Sequence, residues 1–296
     1  MPELPEVETV VRTLAPHVLM REILSMDEVR PCRVPESLPC SKAVGYTVAE
    51  VFRRGKFIVA RLAEKDCEDL FWVTHLRMTG SLMAYEGIMR ESEAANPGKY
   101  TRCVIKLGSR AGEATTEEGC RILFNDVRTF GRIFLGNKKA LEEWSSWKKL
   151  GPEPLSMGED AFAKAIRGKR TIKSVLMDQH VIAGIGNIYA DESLFAARIH
   201  PARTADSLSV EDKKRLYAEL VRLLLLSIEE CGSSIRDYHD ANGNVGAFQN
   251  HFMVYGRGGE ACHSCGARLK KVVLNGRGTV YCPRCQKKSG RQANRA

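Results

Sequence analysis

The residues best suited to chemistry stand at the start of the chain, in Met1-Pro2-Glu3-Leu4-Pro5-Glu6-Val7-Glu8. Once the initiator methionine is removed, Pro2 carries a secondary amine with the Glu3 carboxylate beside it and Glu6 close behind. An α-amino group titrates near ~7.7–8.0, so an appreciable fraction is unprotonated at neutral pH and can attack an electrophilic sugar carbon. The neighbouring carboxylate can then shuttle protons. The same residues also read as helix punctuation. Pro5 suits a first turn, acidic residues suit the positive end of the helix dipole, and Val7, Val10, Val11 and Leu14 recur at helical spacing. From these residues alone both readings stand.

A second constellation is Cys262-x2-Cys265-x16-Cys282-x2-Cys285. Two knuckles of paired thiolates brought together by a hairpin meet the tetrahedral four-sulfur preference of zinc, and four thiolates leave the metal no open position, so one structural Zn2+ is expected. His263 is then a surface residue and not a ligand. Asn275-Gly276 is a favoured two-residue hairpin turn that holds Arg277 next to its tip. The other six cysteines are scattered singly and read as reduced thiols.

Further candidates are cationic or turn-forming. Gly184-x-Gly186-Asn187 is a tight turn at a helix start with Asn187 as N-cap, which can hold a phosphate or simply join two helices. It is not a dinucleotide fingerprint, because Tyr189 stands where the third glycine belongs. Arg53-Arg54-Gly55-Lys56 and Asn125-Asp126-Val127-Arg128-Thr129-Phe130-Gly131 put cations beside turns. Phe130 and Arg128 read first as a strand end with a core aromatic, but on a loop they could also be a wedge between DNA bases.

The elements that must position these groups change character along the chain. After a first helix that Pro16 ends or kinks, short apolar runs at 47–52, 57–62, 70–76, 103–107, 122–124 and 133–135 predict a β-sandwich or barrel. Residues 86–99 and 109–119 read as surface loops. Helices are expected over 141–150, over 161–166 behind a Ser156-Met157-Gly158-Glu159 capping box, over 172–181, from Asn187 to about 197, and from Ser209 towards Gly232. The polar, glycine-rich stretch 233–259 reads as a mobile loop.

The chain of 296 residues is long enough for two domains and a small module. No apolar run is long enough to span a bilayer and the start lacks a secretion pattern, so a cytoplasmic protein without a membrane partner is expected. The net charge is +9. Residues 261–296 hold nine Lys and Arg and no Asp or Glu, so the preceding 260 residues balance to zero. A local basic segment on a neutral body favours a polyanion such as nucleic acid.

Together these motifs resemble the formamidopyrimidine-DNA glycosylase (MutM) family of bifunctional repair enzymes. The likeness runs from the N-terminal motif through Arg54-Gly55-Lys56, His75-Leu76-Arg77-Met78-Thr79-Gly80, Leu150-Gly151-Pro152-Glu153-Pro154-Leu155, Gly184-Ile185-Gly186-Asn187-Ile188-Tyr189-Ala190-Asp191-Glu192 and Val254-Tyr255-Gly256-Arg257 to the cysteine hairpin. It implies a multidomain α and β fold. A catalytic helix and β-sandwich would fill 1–136, a helical helix–two-turn–helix domain 137–257, and a zinc-finger hairpin with a basic tail 258–296.

The resemblance further implies that Pro2 attacks C1′ of the damaged nucleotide and displaces the base, forming an iminium, while Glu3 supplies and removes protons. Lys56 and then Arg277 serve the two phosphate eliminations. Met78, Arg128 and Phe130 fill the gap left by a flipped lesion, and Lys56, Asn187 and Arg277 grip phosphates. Lys169 and Lys173 are DNA-contacting lysines, and 233–248 closes over an oxidised purine. The expected partner is double-stranded DNA carrying oxidised bases or abasic sites, bound by a monomer associated with the nucleoid.

Two positions depart from the family pattern. Lys99-Tyr100-Thr101-Arg102 replaces a histidine pair, leaving Tyr100 to donate a hydrogen bond and Arg102 a charge, and Thr129 replaces a frequent arginine. Two other readings are an endonuclease VIII-like enzyme for oxidised pyrimidines, which Leu4 and the long 233–248 loop disfavour, and a non-catalytic zinc-containing DNA-binding protein.

Overall fold

The computed structural model describes residues 2–88, 98–110, 118–235 and 238–288. It divides into two compact units, Met1–Lys148 with Glu230–Ala247, and Lys149–Glu229 with Phe248–Ala296.

The first unit opens with α1, Leu4–Val18. Pro5 lies in its first turn, and a reciprocal capping box closes its start, with the Glu3 N–H donating to Glu6 Oε2 at 2.8 Å. Val7, Val10, Val11, Leu14 and Val18 are buried along one face, each contributing on the order of 1.5–3 kcal/mol. Pro16 does not end the helix. Its fixed φ suits helical backbone, and the last turn closes beyond it through Leu19 N–H donating to Ala15 O at 3.0 Å.

Strands β1 (Arg21–Glu28), β2 (Thr47–Arg54), β3 (Phe57–Ala63), β4 (Leu70–His75), β5 (Gly80–Ile88), β6 (Thr101–Arg110), β7 (Glu118–Asp126) and β8 (Arg132–Asn137) follow. All neighbours are antiparallel, in the order β5-β7-β6-β1-β2-β3-β4-β8. Among the described residues β1 and β2 pair only at Glu22 and Thr47, so the array falls into two four-stranded sheets. Leu82, Ile105, Ile122 and Phe124 of one sheet share a core with Ile58, Leu62, Trp72 and Ile133 of the other and with the α1 stripe. This is the expected sandwich.

The strands run further than the apolar pattern predicts. Glu86 and Gly87, expected in a loop, pair with Cys120 and Gly119, because main-chain bonding continues where side chains turn polar. Residues 89–97 and 111–117 of the two expected loops lie outside the described residues. Strand β1 escaped the sequence reading because charged and polar residues punctuate it, although Ile23 and Met26 are buried.

The expected helix over 141–150 is broken into α2, Lys138–Glu143, and α3, Ser145–Lys148. Trp144 leaves helical backbone between them and stacks on Phe134 at 5.0 Å. Of the stretch 233–259 read as a mobile loop, residues 233–235 and 238–247 belong to the first unit. The Tyr238 hydroxyl donates to Glu6 O at 3.1 Å, and Ala241 exchanges bonds with Thr13 and Ala84.

In the second unit α4 spans Glu159–Ala165, α5 Ile172–Leu176, α6 Asn187–Ala196 and α7 Val210–Glu229. The capping box expected at Ser156 does not form; Gly158 is the N-cap, with no side-chain bond. Helix α5 is half the predicted length, since Met177 to Gly184 turn back on themselves through Asp178 and Gln179. Helix α7 buries Leu216, Leu220, Leu223, Leu224 and Ser227, and the Ser227 hydroxyl meets that of buried Tyr189 at 2.6 Å. Strands β9 (Lys270–Leu274) and β10 (Arg277–Tyr281) form the final hairpin. Asn275 and Gly276 adopt φ of +50° and +73°, both positive as the predicted turn requires.

Candidate active-site and nucleic-acid-binding elements

In the first unit Pro2 and Glu3 are both buried at the mouth of α1. Glu6, the second carboxylate of the motif, is an anchor. Besides the Glu3 N–H, it accepts the N–H and hydroxyl of Ser233 at 2.8 and 2.9 Å. Two residues on, Glu8 pairs with Arg53 at 3.0 Å and ties the β2–β3 hairpin to the helix. That hairpin turns through Gly55, at φ +58°, and Lys56, a two-residue loop that needs glycine first. Lys56 is buried, so its amine is held close against the protein rather than swinging in solvent.

Strand β4 ends in His75, whose Nδ1 accepts the Arg77 N–H at 2.9 Å and whose ring meets Phe57 edge-on at 4.8 Å. Burial, with the charges of Arg77 and Lys56, brings its pKa down to about 3, so the ring is neutral. Arg77 itself takes a left-handed backbone, φ +56°, and turns the chain towards Met78.

Met78, Arg128 and Phe130 are all exposed, on the β4–β5 and β7–β8 loops. The Arg128 guanidinium lies 4.9 Å from the centroid of the Phe130 ring. Between the loops sits Asp126, 1 % exposed. Its Oδ1 accepts the Thr79 hydroxyl at 2.6 Å and the Arg128 N–H at 3.2 Å, and its Oδ2 accepts the Gly131 N–H at 2.6 Å. The Arg128 N–H also donates to Thr79 Oγ1 at 3.1 Å. A side chain at position 131 would put its Cβ 2.6 Å from Phe124 and 3.0 Å from Asp126, so only glycine fits. Thr79 and Asp126 carry no local signal of this role, since no sequence pattern pairs residues 47 positions apart.

Tyr100 is exposed, as a hydrogen-bond donor to a partner must be. Arg102 is not. It is 8 % exposed and its guanidinium donates to the Pro31 carbonyl oxygen, so the charge expected to replace the family histidine is spent inside the protein.

In the second unit Lys169 is exposed, whereas Lys173, expected from the resemblance to contact DNA, is buried. Its Nζ lies 2.6 Å from Asp191 Oδ1 and donates to Thr279 Oγ1 at 2.8 Å and Gly278 O at 3.0 Å. Asp191 Oδ2 accepts the Val280 N–H at 3.1 Å. Burial raises the Asp191 pKa to about 6, with the Lys173 ammonium pulling the other way. Asn187 is the first residue of α6 rather than its cap, which is Gly186, and its Nδ2 donates to Gly278 O at 3.1 Å. Lys173 and Asn187 therefore meet on the carbonyl next to Arg277, whose own side chain is exposed at the hairpin tip.

The sulfur atoms of Cys262, Cys265, Cys282 and Cys285 all lie within 4.8 Å of one another. Cys262 and Cys285 are 4.0 Å apart, and Cys265 and Cys282 3.5 Å. Tetrahedral zinc with bonds of about 2.3 Å needs sulfurs about 3.8 Å apart, so the four thiolates fit one structural zinc. Backbone donation from Ala267 leads the causes that bring Cys265 down to about 7, towards the thiolate a metal needs. Gln286 locks the second knuckle, accepting from Cys282 N and donating to Ile199 O at 2.8 and 2.9 Å.

Comparison with known proteins covers the same stretches. Residues 1–133 match the formamidopyrimidine-DNA glycosylase N-terminal domain, 150–239 the H2TH domain of that enzyme, and 259–288 the zinc finger found in FPG and IleRS. A formamidopyrimidine-DNA glycosylase of Desulfitobacterium hafniense (strain DSM 10664 / DCB-2) is 41 % identical over 295 residues, 97 % of this chain and 100 % of the relative. The crystal structure of MutM (FPG) from Thermus thermophilus superposes with a TM-score of 0.82 at 36 % identity, covering 97 % of this chain and 100 % of that one. A mutant FPG of Lactococcus lactis, in complex with Fapy-dG-containing DNA, superposes with a TM-score of 0.81 at 32 % identity over the same shares. With its N-terminal, helical and zinc-finger parts each matched in order, the chain belongs to the formamidopyrimidine-DNA glycosylase (MutM) family.

Proposed function

We infer that this protein is a base-excision repair glycosylase and abasic-site lyase that removes oxidised purines, 8-oxoguanine and formamidopyrimidines, from double-stranded DNA. The observation that carries the reading is the Pro2-Glu3 pair at the head of a capped helix, in a chain similar over nearly its full length to enzymes named for this activity. It acts as a monomer, in the cytoplasm and on the nucleoid.

The chemistry follows from the residues. The Pro2 nitrogen forms a bond to C1′ and gives up its proton while the glycosidic bond breaks and the base leaves with a proton relayed by Glu3. Glu3 then delivers a proton to O4′ as the C1′–O4′ bond breaks and the sugar ring opens to the iminium. The resulting iminium acidifies the adjacent sugar C–H, so a nearby base removes that proton and the 3′ phosphate departs, followed by the 5′ phosphate. Lys56 and Arg277 assist the first and second departures by neutralising phosphate charge. Met78, Arg128 and Phe130 occupy the space of the flipped nucleotide, with Arg128 towards the unpaired base. Tyr100, Lys169 and Asn187 hold the backbone, and 233–248 covers the purine. The zinc holds the hairpin that carries Arg277 and takes no part in bond breaking.

Borohydride reduction in the presence of abasic-site DNA tests this reading. A covalent adduct mapping to Pro2 is expected. Absence of trapping by protein whose Met1 is shown by intact mass to be removed would leave only the DNA-binding reading. A cleavage panel of 8-oxoguanine, formamidopyrimidine and thymine glycol duplexes separates purine from pyrimidine preference.

A further inference from the structure

The bond network around Asp126 joins two loops that strands β5, β6 and β7 separate in the chain. One carboxylate, shut away from solvent, accepts the Thr79 hydroxyl from the Met78 loop and the Arg128 and Gly131 N–H groups from the Phe130 loop, at 2.6–3.2 Å. The Arg128 N–H is shared with the Thr79 hydroxyl, so neither loop can shift without loosening the other's bonds. Both loops also carry left-handed residues, Arg77 at φ +56° and Thr129 at φ +60°, which non-glycine residues adopt only when their surroundings hold them.

A buried carboxylate accepting several N–H and O–H donors is strongly bound to its geometry, because each donor is charge-assisted and loss of any leaves polar atoms unsatisfied. The exposed tips stand on this clamp. Met78 follows His75 by three residues and precedes Thr79 directly, and Arg128 and Phe130 lie between the two N–H groups that Asp126 holds, with the guanidinium already over the ring.

We propose that Asp126 and Thr79 are positioning residues that set Met78, Arg128 and Phe130 as one preformed wedge, so that the protein meets intact duplex with the gap-filling side chains already aligned. This rests on the wedge role given above to those three residues. The benefit applies only where a base must be displaced. DNA whose target is already unpaired needs no wedge, and on it the clamp contributes nothing to the chemistry at Pro2.

The test compares single-turnover rates on an 8-oxoguanine·cytosine duplex with borohydride trapping on a single-stranded abasic oligonucleotide. Asp126→Asn puts an amide N–H against one of the donors, and Thr79→Val removes the hydroxyl without changing side-chain shape. Each is expected to slow the duplex reaction at least about tenfold while changing single-strand trapping less than about threefold. Thr79→Ser, which keeps the hydroxyl, should restore most of the rate. The double variant should be little worse than the singles, since both cut one network.

Equal losses on both substrates would overturn the proposal, by showing that the pair serves only general stability. No loss on the duplex would overturn it too. Met78→Ala and Phe130→Ala run alongside: if they show the duplex-selective defect and Asp126→Asn and Thr79→Val do not, the wedge stands and the clamp falls. If they show none, the wedge reading itself fails.

Discussion

Lys173 Nζ lies 2.6 Å from Asp191 Oδ1, with the two side chains 2 % and 1 % exposed. The pair sits beneath β10, where Lys173 also holds Gly278 O and Thr279 Oγ1 and Asp191 holds Val280 N–H. Removing one partner strands a buried charge, so Asp191→Asn or Lys173→Met should each cost about 3–5 kcal/mol in urea unfolding. Zinc should be lost to a chelator faster in both. If stability and zinc retention matched the parent, the pair would not be what seats the hairpin.

Neutral His75 makes stability depend on pH. Its ordinary pKa is 6.5 and the folded value is about 3, so between them the unfolded chain binds a proton that the folded chain does not. The contribution is therefore complete above about pH 6.5 and is lost as pH falls towards 3. Unfolding free energy measured from pH 7 to 4 should decline more steeply for the parent than for His75→Gln. Parallel curves would show that His75 takes up a proton without cost.

Glu3→Gln separates binding from chemistry. The amide preserves the side chain's size and its capacity to accept from the Glu6 backbone, so helix α1 and DNA affinity should persist. Base release should fall by at least about a hundredfold, the usual scale of losing a general acid or base. Turnover equal to the parent would remove Glu3 from proton transfer.

Arg277, exposed beside the hairpin turn, should contribute to phosphate binding. Arg277→Ala is expected to weaken DNA affinity at low salt and reduce the slope of log affinity against log salt by about 1. Lys173→Met should leave that slope unchanged, because its ammonium is buried against Asp191. An unchanged slope for Arg277→Ala would take that residue out of the interface.

Local chemistry by itself determined the capped start of α1, the Asn275-Gly276 turn, the four-thiolate zinc site and the alternation of β and α regions. Each depends on residues a few positions apart, or on a spacing that a single hairpin closes, so the sequence carries the whole interaction. What became of individual cations was decided only by the tertiary structure. Arg102 and Lys173 look as available as Arg128 and Arg277 in the chain, yet one turns to Pro31, 71 residues away, and the other to Thr279, 106 residues away. The same holds for Asp126 and Thr79, and for Ser233 and Ala241, whose bonds to Glu6 and Thr13 the polar, glycine-rich composition around them hides. A charge becomes a ligand grip or an internal strut according to whether the fold leaves it in water or surrounds it with acceptors, and no local pattern encodes which distant acceptors arrive.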